Sequence, residues 1–158
     1  MNLYTINAQN FLIEWISIDG QSWTNGSLNS HSVVPVNSSN LVAILHRYEG
    51  CTTCTGSLLL VYQDSPASLQ IGNWSTSAAT SSTSGWQWLS PPVSPISGTG
   101  LGMSLGQNAG DAPSIMLDYQ NKNLALCGCD WNPHQTSTVE GMSIFRSDID
   151  CHTLTGVK

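Results

Sequence analysis

Ser57–Trp74 reads SLLLVYQDSPASLQIGNW: two apolar runs on either side of Asp64-Ser65-Pro66. Leu58, Leu60 and Tyr62 alternate onto one face of the first run, and Leu69 and Ile71 alternate with polar neighbours on the return. A period of two is the signature of a strand. Asp and Ser bond their own backbone and Pro presets φ, so the three residues between the runs supply a turn. The stretch predicts a β-hairpin.

The hairpin recurs. Downstream by 57 residues lies Ser114–Trp131, SIMLDYQNKNLALCGCDW, and upstream by 57 the chain opens with MNLYTINAQNFLIEW. At this one spacing Leu3, Leu60 and Leu117 coincide, as do Leu12, Leu69 and Leu126. Tyr62 falls on Tyr119, Gln63 on Gln120 and Trp74 on Trp131, and the turn slot holds Asn7, Asp64 and Asn121. The hairpins near 1–16, 57–74 and 114–131 are three repeats within a single domain spanning 1–158. Before the second comes Leu41–His46, LVAILH, and before the third Leu101–Leu105, at a spacing of 60. Gly141–Phe145, GMSIF, is a third candidate for this apolar strand with small residues. Gly85-Trp86-Gln87-Trp88 supplies a Trp-bearing outer strand, residues 24–40 an outer strand plus loop, and 75–84 a Ser/Thr-rich loop. Four antiparallel strands per repeat, with a narrow first strand, make a β-propeller blade. The fold class is therefore all-β, with about three blades. A β-sandwich explains short strands but not the strict register.

These repeats resemble the blades of the fungal fucose-specific lectins, six-bladed propellers whose blade reads roughly IRVYYQD-x-DG-x-I-x-E followed by Gly-Trp. The matching pieces are LLLVYQDSPASLQI at 58–71, IMLDYQNKNLALCG at 115–128 and MNLYTINAQNFLIE at 1–14, with Gly85-Trp86 as the Gly-Trp and Trp23 as a looser match. The resemblance implies fucose held between blades by an Arg, a Glu and a neighbouring aromatic ring. Here the Arg slot holds Asn2, Leu59 and Met116, and the Glu slot holds Glu14, Ile71 and Gly128, so only Glu14 survives. Neutral side chains do not replace a bidentate guanidinium.

Composition bounds the partners. Only 9% of residues are charged and the net charge is −6; the four cations are Arg47, Lys122, Arg146 and Lys158. Nucleic acid and anionic membranes call for clustered cations, so a neutral ligand or a protein partner is the better fit. No run of 18 apolar residues predicts a transmembrane helix. The first residues lack the basic region and apolar run of a signal peptide; sequons at Asn25, Asn37 and Asn73 arise by chance in a chain rich in Asn, Ser and Thr and carry little weight for the compartment, which stays open, secretion included.

Sugar binding needs a flat aromatic face and planar polar groups. Among the six Trp, Trp74 and Trp131 recur in register and read as packing between blades, whereas Trp23 and Trp86 follow Gly-containing turns and read as stacking candidates. The candidate carbohydrate-binding residues are Glu14, Trp23, Tyr62, Gln63, Trp86, Tyr119 and Gln120. For Gln63 and Gln120 the competing role is a bond to the hairpin turn; for Glu14 it is a solvated outward carboxylate. The leading function is fucose or fucosylated-glycan binding without catalysis. The alternatives are a lectin-like interaction module that binds no sugar and, third, a glycosidase, which would need a carboxylate pair that no motif here ties together. No cofactor or metal is expected. Cys51, Cys54, Cys127 and Cys129 with His134 and His152 could form a zinc site, but a local disulfide or free thiols fits the spacing better. Three blades do not close a propeller. The chain is expected either to form a homodimer completing a six-bladed ring, with Gly141–Phe145 donated to the first hairpin of the other copy, or to be part of a longer polypeptide.

Overall fold

The computed structural model describes residues 1–46, 57–75, 85–106, 114–131, 136–139, 142–145 and 149–154. The hairpin strands form where the alternation places them. Blade 1 is β1 (Asn2–Ile6), β2 (Leu12–Ile16) and β3 (Thr24–Asn25), in that order, followed by a 3-10 turn at Ser27–His31. Blade 2 is β4 (Leu41–His46), β5 (Ser57–Ser65), β6 (Ser68–Ser75) and β7 (Trp86–Leu89). Blade 3 runs β8 (Leu101–Gly106), β9 (Ser114–Gln120), β10 (Leu126–Trp131) and β13 (Ile149–Thr153). All pairings are antiparallel.

The turns repeat as well as the strands. Asn7 Oδ1 accepts from the N–H of Gln9 (3.0 Å) and Phe11 (2.8 Å), and Asn121 Oδ1 accepts from Asn123 (2.9 Å) and Ala125 (3.1 Å). Each Asn thus caps its own hairpin, with Asn10 and Leu124 in the left-handed region at φ 64 and 63°. Gly85 closes the approach to β7 at φ 81°, where a Cβ would also stand 2.7 Å from Trp74 Nε1.

Each loop that leads into an inner strand is tied to the hairpin it meets. Val36 N–H donates to Gln63 O (2.8 Å) and Ile96 N–H to Gln120 O (2.9 Å). Gln63 N–H donates to Ser39 Oγ (2.8 Å) and Gln120 N–H to Thr99 Oγ1 (2.7 Å). Pro35, Val36 and Ser39 thus match Pro95, Ile96 and Thr99 at the same spacing of 60 that relates β4 to β8.

Two apolar layers separate the blades. Leu12, Leu28 and Val33 pack on Leu58, Leu60, Tyr62 and Trp86 between blades 1 and 2. Leu59, Val61, Leu69 and Ile71 pack on Ile115, Leu117, Tyr119, Cys127 and Cys129 between blades 2 and 3. Each blade therefore has a back, which meets the preceding blade, and a front, which meets the next.

Three expectations change. Met142–Phe145 is β12 and pairs with β11 (Thr136–Val139) in a separate two-stranded sheet; it is not a third inner strand, and Gly141 lies outside the described residues. Only Glu140 and Gly141 separate it from the β-branched run before it, the length of a tight hairpin. The outer strand of blade 3 is β13, which carries no Trp. Among the described residues, Cys129 and Cys151 form a disulfide that joins β10 to β13 across 22 residues, and Cys127 is a buried free thiol. A thiol in a disulfide is no zinc ligand, so Cys129 leaves that grouping; Cys51, Cys54 and His134 lie outside the described residues.

Gln63 is fully buried, with Nε2 donating to Ile96 O (3.0 Å) and Oε1 accepting from Gly98 N–H (2.9 Å). Gln63→Leu leaves both groups without partners and is expected to cost about 2–5 kcal/mol in urea unfolding. Gln120→Leu, at an exposed residue bonded to its own turn at Leu124 O (3.3 Å), should cost less than about 1 kcal/mol. Reducing Cys129–Cys151 should lower stability by about 3 kcal/mol, read as a shift of the same transition in dithiothreitol.

Candidate functional site

The hairpin register sets Tyr4 directly across from Glu14, and the 3-10 turn after β3 folds back over both. Glu14 is 2% exposed. Its Oε1 accepts from Asn2 Nδ2 (3.0 Å) and the Tyr4 hydroxyl (2.9 Å), and its Oε2 from Leu28 N–H (3.1 Å). The Glu14 backbone is held too: its N–H donates to Asn29 Oδ1 (2.7 Å), and its carbonyl accepts from Gly26 N–H (2.9 Å). A Cβ on Gly26 would land on the Glu14 carboxylate, so only glycine lets the chain pass this close. Burial, with the Glu14 carboxylate beside it, holds the Tyr4 phenol well above its ordinary pKa and so keeps it a donor.

Asn2 and Tyr4 also line a cavity of about 340 Å³ at the junction of blades 1 and 2. Ala43 and Leu45 of the inner strand β4, with Met1, Leu58 and Trp74, complete its wall. In blades 2 and 3 an inner strand flanks the first hairpin strand on this side; among the described residues none pairs with β1 there.

Aromatic rings gather at the same junction. Trp86 and Trp88 stack at 5.7 Å and 14°, Tyr62 meets Trp88 edge-on at 5.9 Å, and His31 does so at 6.1 Å. Trp86 Nε1–H donates to Ser27 Oγ (3.1 Å), which fastens blade 2 to the turn over Glu14.

The structure thus brings Glu14, Tyr62 and Trp86 to one junction. Glu14 is buried and bonded there, not solvated on an outward face. Gln63 is committed to the backbone of loop 96–98, and Tyr119 is buried between blades 2 and 3, where burial raises its phenol to about 12. Gln120 is exposed on its hairpin. Trp23 stands on the back of blade 1, 37% exposed, after a turn capped by Asp19. Asp19 Oδ1 accepts from Ser22 N–H (2.8 Å), Gln21 N–H (2.9 Å) and Ser17 Oγ (3.1 Å), bonds that pull its carboxyl down to about 2. Trp74 is partly buried against the first apolar layer, as an interblade Trp should be.

Tyr4, Leu28 and Trp88 join the site without having been singled out in the sequence. Counting back from the Asn7–Asn10 turn pairs Tyr4 with Glu14, and period two puts Trp88 beside Trp86. Nothing in the sequence marks the Leu28 N–H, which reaches Glu14 only because the turn folds back.

No protein-family model and no curated protein matches the chain. Solved structures do. A point variant of Aleuria aurantia lectin in complex with alpha-methyl-L-fucoside superposes at TM-score 0.61 with 22% identity, over 90% of this chain and 44% of that one. A second structure of that lectin, described as a six-bladed beta-propeller with a novel fucose recognition mode, gives 0.62 and 23%, over 90% and 42%. AofleA from Arthrobotrys oligospora gives 0.62 and 22%, over 84% and 36%. The chain spans less than half the length of each of these three, and its fold is that of blades from the six-bladed fungal lectin propeller.

Proposed function

We propose that the chain is a carbohydrate-binding, lectin-type module without catalysis, whose ligand is fucose or a fucosylated glycan. The observation that carries the reading is the Glu14 carboxylate, buried at a blade junction beside a cavity lined by Asn2, Tyr4 and Trp74. An ionised carboxylate offers about four acceptor positions, and three donors occupy it here. The fourth suits a sugar hydroxyl. Asn2 and Tyr4, oriented by the same carboxylate, present an amide and a phenol to the cavity, and Trp74 adds an aromatic surface for C–H stacking. The solved neighbours with bound fucosides support the ligand class.

One observation favours the second reading, a lectin-like module that binds protein and no sugar. At the junction of blades 2 and 3 the equivalent positions are Leu59 and Ile71, both buried in the apolar layer, so that junction is sealed.

The assembly proposed is a homodimer. Two copies of three blades would complete a ring of six, with a two-fold axis along the channel; the rival is one half of a longer polypeptide. β12 pairs with β11 and β13 supplies the fourth strand of blade 3, so the ring closes through faces of blades and not by donation of Gly141–Phe145.

On an array of fucosylated glycans the protein should give signal that free L-fucose competes away; a blank array supports the protein-binding reading. Glu14→Gln should weaken binding by about 1–3 kcal/mol, the cost of a lost charge-assisted bond, and unchanged affinity removes Glu14 from the site. Light scattering after size exclusion should give twice the 16.9 kDa chain mass; a well-folded monomer overturns the dimer.

A further inference from the structure

β1 ends its sheet, and every second residue along it turns its backbone away from β2. Two bonds fix which residues these are. Ser17 N–H donates to Met1 O and Asn7 N–H to Phe11 O, both at 2.9 Å. Bonded and non-bonded positions alternate in an antiparallel pair, so Leu3 and Thr5 bond to Trp15 and Ile13 across the hairpin. Asn2, Tyr4 and Ile6 point their N–H and C=O groups to the other side, where no described residue pairs with them.

In blades 2 and 3 the same backbone groups are taken. The equivalents of Ile6 are Gln63 and Gln120. Their carbonyls accept from Val36 and Ile96, and their N–H groups donate to Ser39 Oγ and Thr99 Oγ1. Val61 and Leu59 lie opposite Val42 and Ile44 of β4, and Asp118 and Met116 opposite Gly102 and Ser104 of β8. One kind of segment serves both blades: Pro35, Val36 and Ser39 lead into Leu41–His46, and Pro95, Ile96 and Thr99 into Leu101–Gly106.

The cavity marks the same gap. Between blades 2 and 3 the inner strands meet, with Val42, Ile44, Leu101 and Met103 packed on one apolar layer. Between blades 1 and 2, Ala43 and Leu45 of β4 border the cavity of about 340 Å³, with Asn2 and Tyr4 on its β1 wall.

We propose that the free edge of β1 is a strand-addition site for an extended segment of another polypeptide, built like residues 95–106. Main-chain bonds to Asn2, Tyr4 and Ile6 supply the attachment. A Ser or Thr hydroxyl accepts from Ile6 N–H, as Thr99 does from Gln120. Apolar residues fall opposite Leu3 and Thr5, as Met103 and Leu101 do opposite Leu117 and Tyr119. Gly or Ser falls opposite Tyr4 and Asn2, as Gly102 and Ser104 do in blade 3. The small residues are required because Asn2 and Tyr4 donate to the buried Glu14 carboxylate, and bulky apolar groups beside them would crowd that polar set. A second copy has no such segment to spare among the described residues: the inner strands lie on their own hairpins and Met142–Phe145 lies on β11. The added strand walls the cavity without filling it, so this inference goes beyond the sugar reading and does not depend on it.

The probe is a synthetic peptide of residues 95–106, PISGTGLGMSLG, added to the full chain while amide hydrogen exchange is followed by NMR. Without peptide, the Tyr4 and Ile6 amides should exchange faster than those of Leu3 and Thr5. Saturating peptide should slow Tyr4 and Ile6 about tenfold or more and leave Leu3 and Thr5 unchanged. A peptide carrying Gly102→Pro lacks the donor that falls opposite Tyr4 and should give no protection. In the protein, Ile6→Pro removes an N–H that points away from β2, so the hairpin holds, and peptide binding should weaken about fivefold, the worth of one hydrogen bond. Exchange at Tyr4 and Ile6 that ignores the peptide overturns the inference. Protection spread equally over Leu3, Tyr4, Thr5 and Ile6 overturns the edge pairing. Protection of Tyr4 and Ile6 that grows with protein concentration in the absence of peptide assigns the edge to a second copy and overturns the occupant. The readout involves no sugar, so failure of the lectin reading and failure of this inference are separate results.

Discussion

The structure depends on one constraint: in a stack of blades, each sheet must be covered on both faces. β5 shows what this demands of the sequence. Leu58, Leu59, Leu60, Val61 and Tyr62 are all buried, alternate members facing blade 1 and blade 3. A strand of a one-sided sheet would show polar residues at every second position; this one reads as a continuous apolar run because its outer face is a core too. The same constraint explains why the positions of blade 2 equivalent to Asn2 and Glu14 are Leu59 and Ile71. With blade 3 packed over them, apolar burial of about 25 cal/mol per Å² outweighs any use for a polar pair that has no donors in reach.

Gln63 and Glu14 enter this apolar stack with every side-chain polar atom bonded. Gln63 sits in the core because loop 96–98 offers it one donor and one acceptor, and the bonds make it a clamp between successive blades. Glu14 sits there because three donors converge on it, two from its own hairpin and one from a turn that glycine allows to pass close by. Low dielectric strengthens each bond and raises the cost of each missing one. Such groups define one arrangement of neighbouring blades, whereas apolar contacts alone would tolerate sliding. Asn73 Oδ1 and Asp118 Oδ1 are exceptions, buried without a hydrogen-bond partner among the described residues.

The two ends of the arc differ in what they expose. The back of blade 1 presents Leu3 and Trp23, with an edge strand that has no inner neighbour among the described residues. The front of blade 3 presents Leu126, with Leu154 lying over Gly128. Exposed apolar positions and open strand edges invite association. Here the internal junctions already show how such a back and such a front fit together.

By itself the sequence determined the hairpins, their 57-residue register and the inner strands at 41–46 and 101–105, because alternation and Asn or Pro turns are local chemistry read within a few residues. It also determined the fold class, since a register that strict has few architectures. It did not determine the fate of Met142–Phe145: the segment has the pattern of an inner strand, yet it pairs with Thr136–Val139. Nor did it determine that Cys129 would pair with Cys151, since disulfide partners are a matter of which strands lie side by side. The surroundings of Glu14 lay furthest from the sequence. Its slot was visible, but Tyr4 arrives through cross-strand pairing and the Leu28 N–H through a turn folded back over the hairpin. A backbone donor has no letter in the sequence, and only the tertiary structure brings it to the carboxylate.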